Sequence, residues 1–248
     1  MKNLLQIVNA VQAELGLPQT DEVIDSTDAT TIQMGALANR VIDELRRTNR
    51  WTAMQFEFNL VCDPPTITTG DMAAGSAVIT NIPSTAGLAA DAWTVAGSGI
   101  LQAGRILSVD SATQVTMTME NTNTDALVGT EITFAKDTFD MPTGFDWYNN
   151  QTMWDRTNRW RLLGPDSPQQ DQWQRSGVVA TGPRRHFRQL GPYAKKFRIW
   201  PPPTEITAPL QLVFEYLSLD AVAVNGSATS FAQYFENDAD VPLLDDQS

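Results

Sequence analysis

Between positions 147 and 161 the chain interleaves aromatic and cationic side chains: Trp147, Tyr148, Trp154, Arg156, Arg159, Trp160 and Arg161. Aromatic faces can stack nucleic-acid bases while guanidinium groups hold phosphates. The same residue types anchor the buried centres of protein–protein interfaces. Arginine stacked on tryptophan within one subunit is a third reading. Carboxylates nearby oppose a phosphate backbone, so interface or core is favoured over nucleic acid.

Catalytic constellations are hard to assemble from the remaining residues. The single histidine, His186, stands between Arg185 and Phe187, and nothing of the Gly-x-Ser-x-Gly type accompanies it. A structural role is the better reading of it. Cys62 is the only cysteine, far from His186 in sequence, and reads as an inert core or edge residue. Gly97-Ser98-Gly99 lacks the lysine and helix of a phosphate-binding loop. Asp238-Ala239-Asp240 opens like a calcium loop but lacks the central glycine and closing glutamate. Paired carboxylates could in principle hydrolyse a glycoside, yet with 29 acidic residues some pair always looks suitable. The expectation is a protein with no catalytic residue, no cofactor and no metal.

Charge distribution says more than the net value of −12. Residues 60–135 carry one basic and seven acidic side chains, residues 146–200 ten basic and four acidic, and residues 201–248 eight acidic and no basic. An acidic tail following a basic stretch can complement itself between neighbouring copies, head to tail; two solvated faces without a partner are the plainer alternative. The overall acidity argues against nucleic-acid binding as the main activity. The expected contact residues for a subunit or partner are Arg46, Arg47, Arg50, Trp147, Trp154, Arg156, Arg159, Trp160, Arg184, Arg185, Arg188, Glu236, Asp238 and Asp240.

The elements that must position these residues fall into three segments, 1–62, 63–136 and 137–248, and the fold class expected is α+β. In the first, Leu4, Ile7, Val8, Val11 and Leu15 recur at helical spacing, and Gly16 and Pro18 stop the helix. Ser26-Thr27-Asp28 supplies N-cap candidates for a second helix with the stripe Ile32, Leu37, Val41, Ile42 and Leu45, and with Arg46, Arg47 and Arg50 at its negative pole. An antiparallel helix pair is expected. In the second segment Lys and Arg almost vanish and short alternating runs appear at Ala77–Ile79, Trp93–Val95, Arg105–Val109, Val115–Met119 and Glu131–Phe134. These describe a small β-sandwich or barrel, inserted between helical and mixed parts. The third segment has strand candidates at Arg184–Leu190, Lys195–Trp200 and Leu210–Leu217, then an acidic tail. No run of about 18 apolar residues suggests a membrane span, and the N-terminus has no secretion signal pattern.

Leu4-Leu5-Gln6-Ile7-Val8-Asn9, Glu14-Leu15-Gly16-Leu17-Pro18 and Thr31–Asn39 with Glu44-Leu45 resemble the two N-terminal helices of phage head-to-tail adaptors, nearest the tail accessory factor of short-tailed phages. Asp140–Phe145, Gly191-Pro192, Phe197–Pro203 and Phe214-Glu215-Tyr216 resemble that family's β-rich core, and Phe235–Asp240 the segment before its final helices. Gly104-Arg105-Ile106 and Val109–Thr116 resemble a β-module of phage virion proteins. The resemblance spans nearly the whole chain through individually soft motifs. It implies a virion protein of the head–tail junction, made in the bacterial cytoplasm. Such a protein forms a ring, typically of twelve copies, binds portal and tail proteins (tube, nozzle or hub), and passes DNA without specific binding or membrane contact. Portal docking falls to the helix pair and the tail end. Family members continue past the acidic segment into further helices, whereas this sequence stops at Ser248, so their portal-gripping C-terminus does not carry over. A tail-tube, stopper or decoration protein, and a carboxylate-dependent cell-wall hydrolase, are the alternatives.

Overall fold

The computed structural model describes residues 1–177, 184–191, 195–206 and 209–243. Chain order is α1 (Leu4–Glu14), α2 (Ala29–Thr48), a 3-10 turn (Thr52–Met54), β1 (Gln55–Val61), β2 (Thr66–Met72), β3 (Val78–Thr80), β4 (Trp93–Gly97), β5 (Ile106–Ser111), β6 (Gln114–Met117), β7 (Leu127–Lys136), β8 (Thr138–Asp140), β9 (Phe145–Tyr148), β10 (Trp154–Asp155), β11 (Trp160–Arg161), α3 (Pro168–Gln174), β12 (His186–Leu190), β13 (Lys196–Trp200), β14 (Gln211–Ser218), β15 (Val222–Ala223), β16 (Phe231–Ala232) and β17 (Val241–Pro242). The class is mixed α+β with antiparallel strand pairing in several sheets.

The chain divides into two compact units, each discontinuous in sequence: residues 1–58, 142–149 and 215–248, and residues 59–141 and 150–214. In the first, Asn3 and Gln6 cap α1 reciprocally, each side chain meeting the other's backbone N–H. Asp28 caps α2 by accepting from Thr31 N, as its position before the helix anticipates. Gln12, near the end of α1, donates to Thr31 near the start of α2 at 3.3 Å, so the helices run antiparallel. Their shared core holds Leu4, Val8, Val23, Ile42, Met54 and Phe235. Strands β16, β15 and β17 form a small sheet, and β9 pairs with the second half of β14.

In the second unit, residues 66–136 form a six-stranded sheet in the order β4-β7-β2-β3-β6-β5. Its two ends meet: Thr94 bridges Arg105, and Val95 N donates to Gly104 O at 2.8 Å, so the sheet curls round on itself. The interior is packed by Met72, Ile79, Trp93, Ile106, Ile132 and Phe134. Gly70 is demanded by this packing, because a Cβ there would lie 2.8 Å from Ile79 Cγ2 and 2.9 Å from Ile132 Cδ1.

A second sheet, β12-β13-β8, has two unlike faces. Register places Phe187 opposite Ile199 and Phe197 opposite Phe139 on the apolar face. Arg188, Arg198 and Thr138 share the other face with His186 and Trp200. Helix α3, capped by Ser167 with Pro168 in its first turn, brings Asp171 and Gln174 to that polar face.

Candidate interaction surfaces

The apolar stripes of α1 and α2 are only partly covered. Leu4, Val8 and Ile42 are buried, but Val11 is 40%, Leu37 55%, Val41 43% and Leu45 38% exposed. Val8, Val11, Leu37, Val41, Ile42 and Leu45 line an apolar groove of about 330 Å³ between α1 and α2, with Phe235 and Pro242 also in its lining. Ile32 is half exposed on the same helix. A monomeric protein gains nothing by presenting so continuous an apolar lining to water, and such patches mark contact surfaces.

The aromatic–arginine stretch resolves into distinct environments. Trp147 stands 56% exposed on β9 in the first unit. In the second unit β10 and β11 form a hairpin whose register sets Trp154 opposite Arg161 and Asp155 opposite Trp160. Trp154, Arg156, Arg159 and Trp160 are exposed, whereas Asp155 is buried beneath them. Asp155 organises the turn by accepting from Asn158 N at 2.9 Å and Asn158 Nδ2 at 2.8 Å. The backbone N–H of Arg156 donates to Gln211 O, and Gln211 N donates to Thr157 Oγ1. Arg159 holds the left-handed conformation, φ 59°, that the tight turn requires. Among the described residues neither Arg156 nor Arg159 has an ion-pair partner.

Several residues expected at a subunit or partner contact are instead committed inside the subunit. Arg185 is buried and pairs with Glu205 at 2.6 Å and Asp155 at 3.3 Å. Burial by itself would raise the Glu205 carboxyl, but the Arg185 guanidinium and nearby N–H groups hold it below its ordinary value. Arg188 donates to Asp171 at 2.9 Å. Arg46 is buried, donating to Asp43 at 2.5 Å and to Leu219 O at 3.5 Å. Of its neighbours, Arg47 pairs with Asp43 but is largely exposed, and Arg50 is exposed. Arg184 is exposed as well.

The acidic segment proves to be a capping turn. Asp240 is completely buried and accepts from the N–H groups of Asn225, Glu236 and Asn237, each at 2.8 Å. Burial would raise its carboxyl, and these three donors outweigh that and hold it below the ordinary carboxylate value. Asp238 receives Val23 N and Ile24 N, while the backbone carbonyls of Asp238 and Asp240 accept from Leu5 N and Leu4 N. The turn thus satisfies donors at the start of α1 that no helical carbonyl can reach. Glu236 alone of the three expected acidic contacts is exposed. Asp245 and Asp246 lie outside the described residues.

An ionic layer between α3 and the polar face of β12-β13-β8 had no counterpart in the sequence reading. Asp171 meets Arg188, Arg198 and Arg175, and Asp137 meets Arg105 and Arg198. Arg175 lies over the Trp200 ring, 5.5 Å from its centroid. Arg105 also donates to Thr138 and to Asp91 O. Burial, reinforced by neighbouring Arg105, pushes Arg198 down to about 10. Beside this layer His186 contacts Gln174 at 3.0 Å and Asp166 at 3.3 Å, a structural setting.

Cys62 is buried and its thiol is pushed up to about 12, chiefly by burial. Among the described residues no group of three His, Cys, Asp or Glu side chains could hold a metal ion, and no helix is long and apolar enough to cross a membrane. Comparison with protein-family models, characterised proteins and solved structures finds no match.

Proposed function

We propose that this chain is a structural protein of a tailed-phage virion, a ring-forming adaptor between portal and tail that works by contact and performs no reaction. The observation that carries the reading is the apolar groove between α1 and α2. Two capped helices present an apolar seam outward, an arrangement that suits docking onto another protein. The helix pair is the element through which the resemblance to head-to-tail adaptors assigns portal docking. The adaptor core is then residues 1–58, 142–149 and 215–248, and the curled sheet of 66–136 belongs to the unit interposed in sequence, residues 59–141 and 150–214. An acidic surface facing the channel lets a polyanion pass without adhering.

Immunogold labelling of purified particles from a phage encoding this chain provides the test. Label confined to the head–tail junction is expected, with tail-free capsids from a deletion strain. Label along the tail or over the capsid surface would make it a tube or decoration protein. Its absence from particles would overturn the reading.

A further inference from the structure

We propose that the β10–β11 hairpin is the cationic half of a contact between two copies of this chain, its partner being the acidic exterior of the neighbouring copy's 66–136 sheet. The proposal rests on the ring reading and names the surfaces that would build the ring.

The first observation is a pair of unneutralised charges on the same unit. In residues 63–136 the only cations are Arg105 and Lys136. Arg105 is buried against Asp137, and Lys136 is taken by Asp63 at 2.7 Å. Glu120, Asp125 and Glu131 are exposed, and among the described residues none has an ion-pair partner. These carboxylates, Glu131 on β7 and Glu120 and Asp125 in the connection before it, therefore have no cation of residues 63–136 left to balance them. The hairpin is the opposite. Its one carboxylate, Asp155, is buried and bound to Arg185, while Arg156 and Arg159 remain exposed and unpaired.

The second observation is the composition and rigidity of the hairpin. Two half-exposed indoles, Trp154 and Trp160, accompany the two arginines. Trp and Arg are the residues that carry most binding energy where they are held in place before contact. Asp155 and the Gln211–Thr157 link hold this turn. Among the described basic residues of 184–198, Arg185, Arg188 and Arg198 are already spent internally, and Lys196 faces Asp140. Arg184 and Lys195 also remain exposed with no ion-pair partner among the described residues, but only the hairpin sets two such cations among exposed indoles, so the complement to an acidic neighbour is placed at Arg156 and Arg159.

Geometry supplies the last step. Two different patches on one subunit pair heterologously, and a repeated heterologous contact closes into a ring or runs on as a helix. A two-fold pair can also satisfy both patches at once, as a closed dimer, so sedimentation beyond a dimer is what marks the repeated heterologous contact.

Sedimentation velocity of the full chain across a protein concentration series, at low and high salt, tests this. Wild type is expected to associate at low salt and to dissociate at least tenfold more readily in high salt. Arg156→Glu with Arg159→Glu should abolish association, as should Glu120→Lys with Asp125→Lys and Glu131→Lys. Mixing the two variants should restore it, because each reversed patch then meets its complement. Circular dichroism must show both variants folded. Should either variant misfold, Arg156→Gln with Arg159→Gln is to lower association without reversing charge. Unaltered association of folded hairpin variants, failure of the mixture to reassemble, or a wild type that stays monomeric at every concentration would overturn the contact. So would tight binding of a DNA oligonucleotide by the hairpin with self-association unchanged. None of these results depends on particle labelling, so the contact and the adaptor role fail separately.

Discussion

Arg105 Nη1 donates to Asp137 Oδ2 at 2.9 Å, with the arginine side chain 9% exposed and the carboxylate fully buried. The arginine comes from the edge of the curled sheet and the aspartate from the segment leaving it, so one ion pair pins the exit of the 66–136 sheet. Thr138 and the Asp91 carbonyl take the other guanidinium nitrogen. Removing one partner of a buried pair leaves an uncompensated charge, which costs more than the pair contributes. Asp137→Ala is therefore expected to cost about 3–5 kcal/mol, read as a lowered denaturant midpoint. A loss under about 1 kcal/mol would mean that solvent reaches the layer.

The groove separates stability from docking. Leu37 and Val41 are about half exposed, so Leu37→Asp or Val41→Asp should change unfolding free energy by no more than about 0.5 kcal/mol. The same substitutions should abolish incorporation into particles, measured by quantifying the chain in purified virions. Normal incorporation would remove the groove from the docking surface.

Asp240 predicts an acid-sensitive anchor. Its folded pKa lies below that of an unfolded aspartate, about 3.9. A depressed carboxylate contributes stability that is complete above the unfolded value and is lost as pH falls through the folded one. Thermal unfolding of wild type should therefore fall below about pH 4. Asp240→Ala leaves three backbone donors without their acceptor, costs about 2–3 kcal/mol at pH 7, and should reduce the acid dependence.

Cys62 should ignore thiol reagents. With its thiol pushed up to about 12 and its side chain buried, native protein at pH 8 is expected to show almost no labelling. One equivalent should react after denaturation. Rapid native labelling would mean that the strand end carrying Cys62 opens readily.

Much of the secondary structure was legible because periodicity is local. The α1 and α2 stripes, the Asp28 cap and the strands around Val95, Val115 and Phe134 all follow from spacing and capping chemistry. Strand β2 escaped notice because Thr66–Met72 has only Ile67 and Met72 as apolar side chains, five positions apart and so out of alternation. Spacing groups residues on a face but does not say whether anything covers that face. Leu37 and Leu45 therefore read only as members of a stripe, and the fold stands them in a groove. Charge was the least legible property, since pairing over long separations leaves no mark in composition. Arg156 and Arg185 look alike in the sequence, and only the fold leaves the first free and gives the second to Glu205 and Asp155.

The bonds from Leu4 N to Asp240 O and from Leu5 N to Asp238 O join places more than 230 residues apart. During synthesis the first helix emerges long before the turn that completes it, while the sheet of residues 66–136 has a core of its own to pack around much earlier. At roughly 5–20 residues per second, tens of seconds or less separate the two events. Throughout that interval the apolar seam of α1 lacks Phe235 and Pro242 beside it, so the nascent chain carries its stickiest surface before it can finish shaping it. The finished groove thus waits on the turn at Asp238 and Asp240, and a chain cut short before Asp240 would be unable to cap its own first helix.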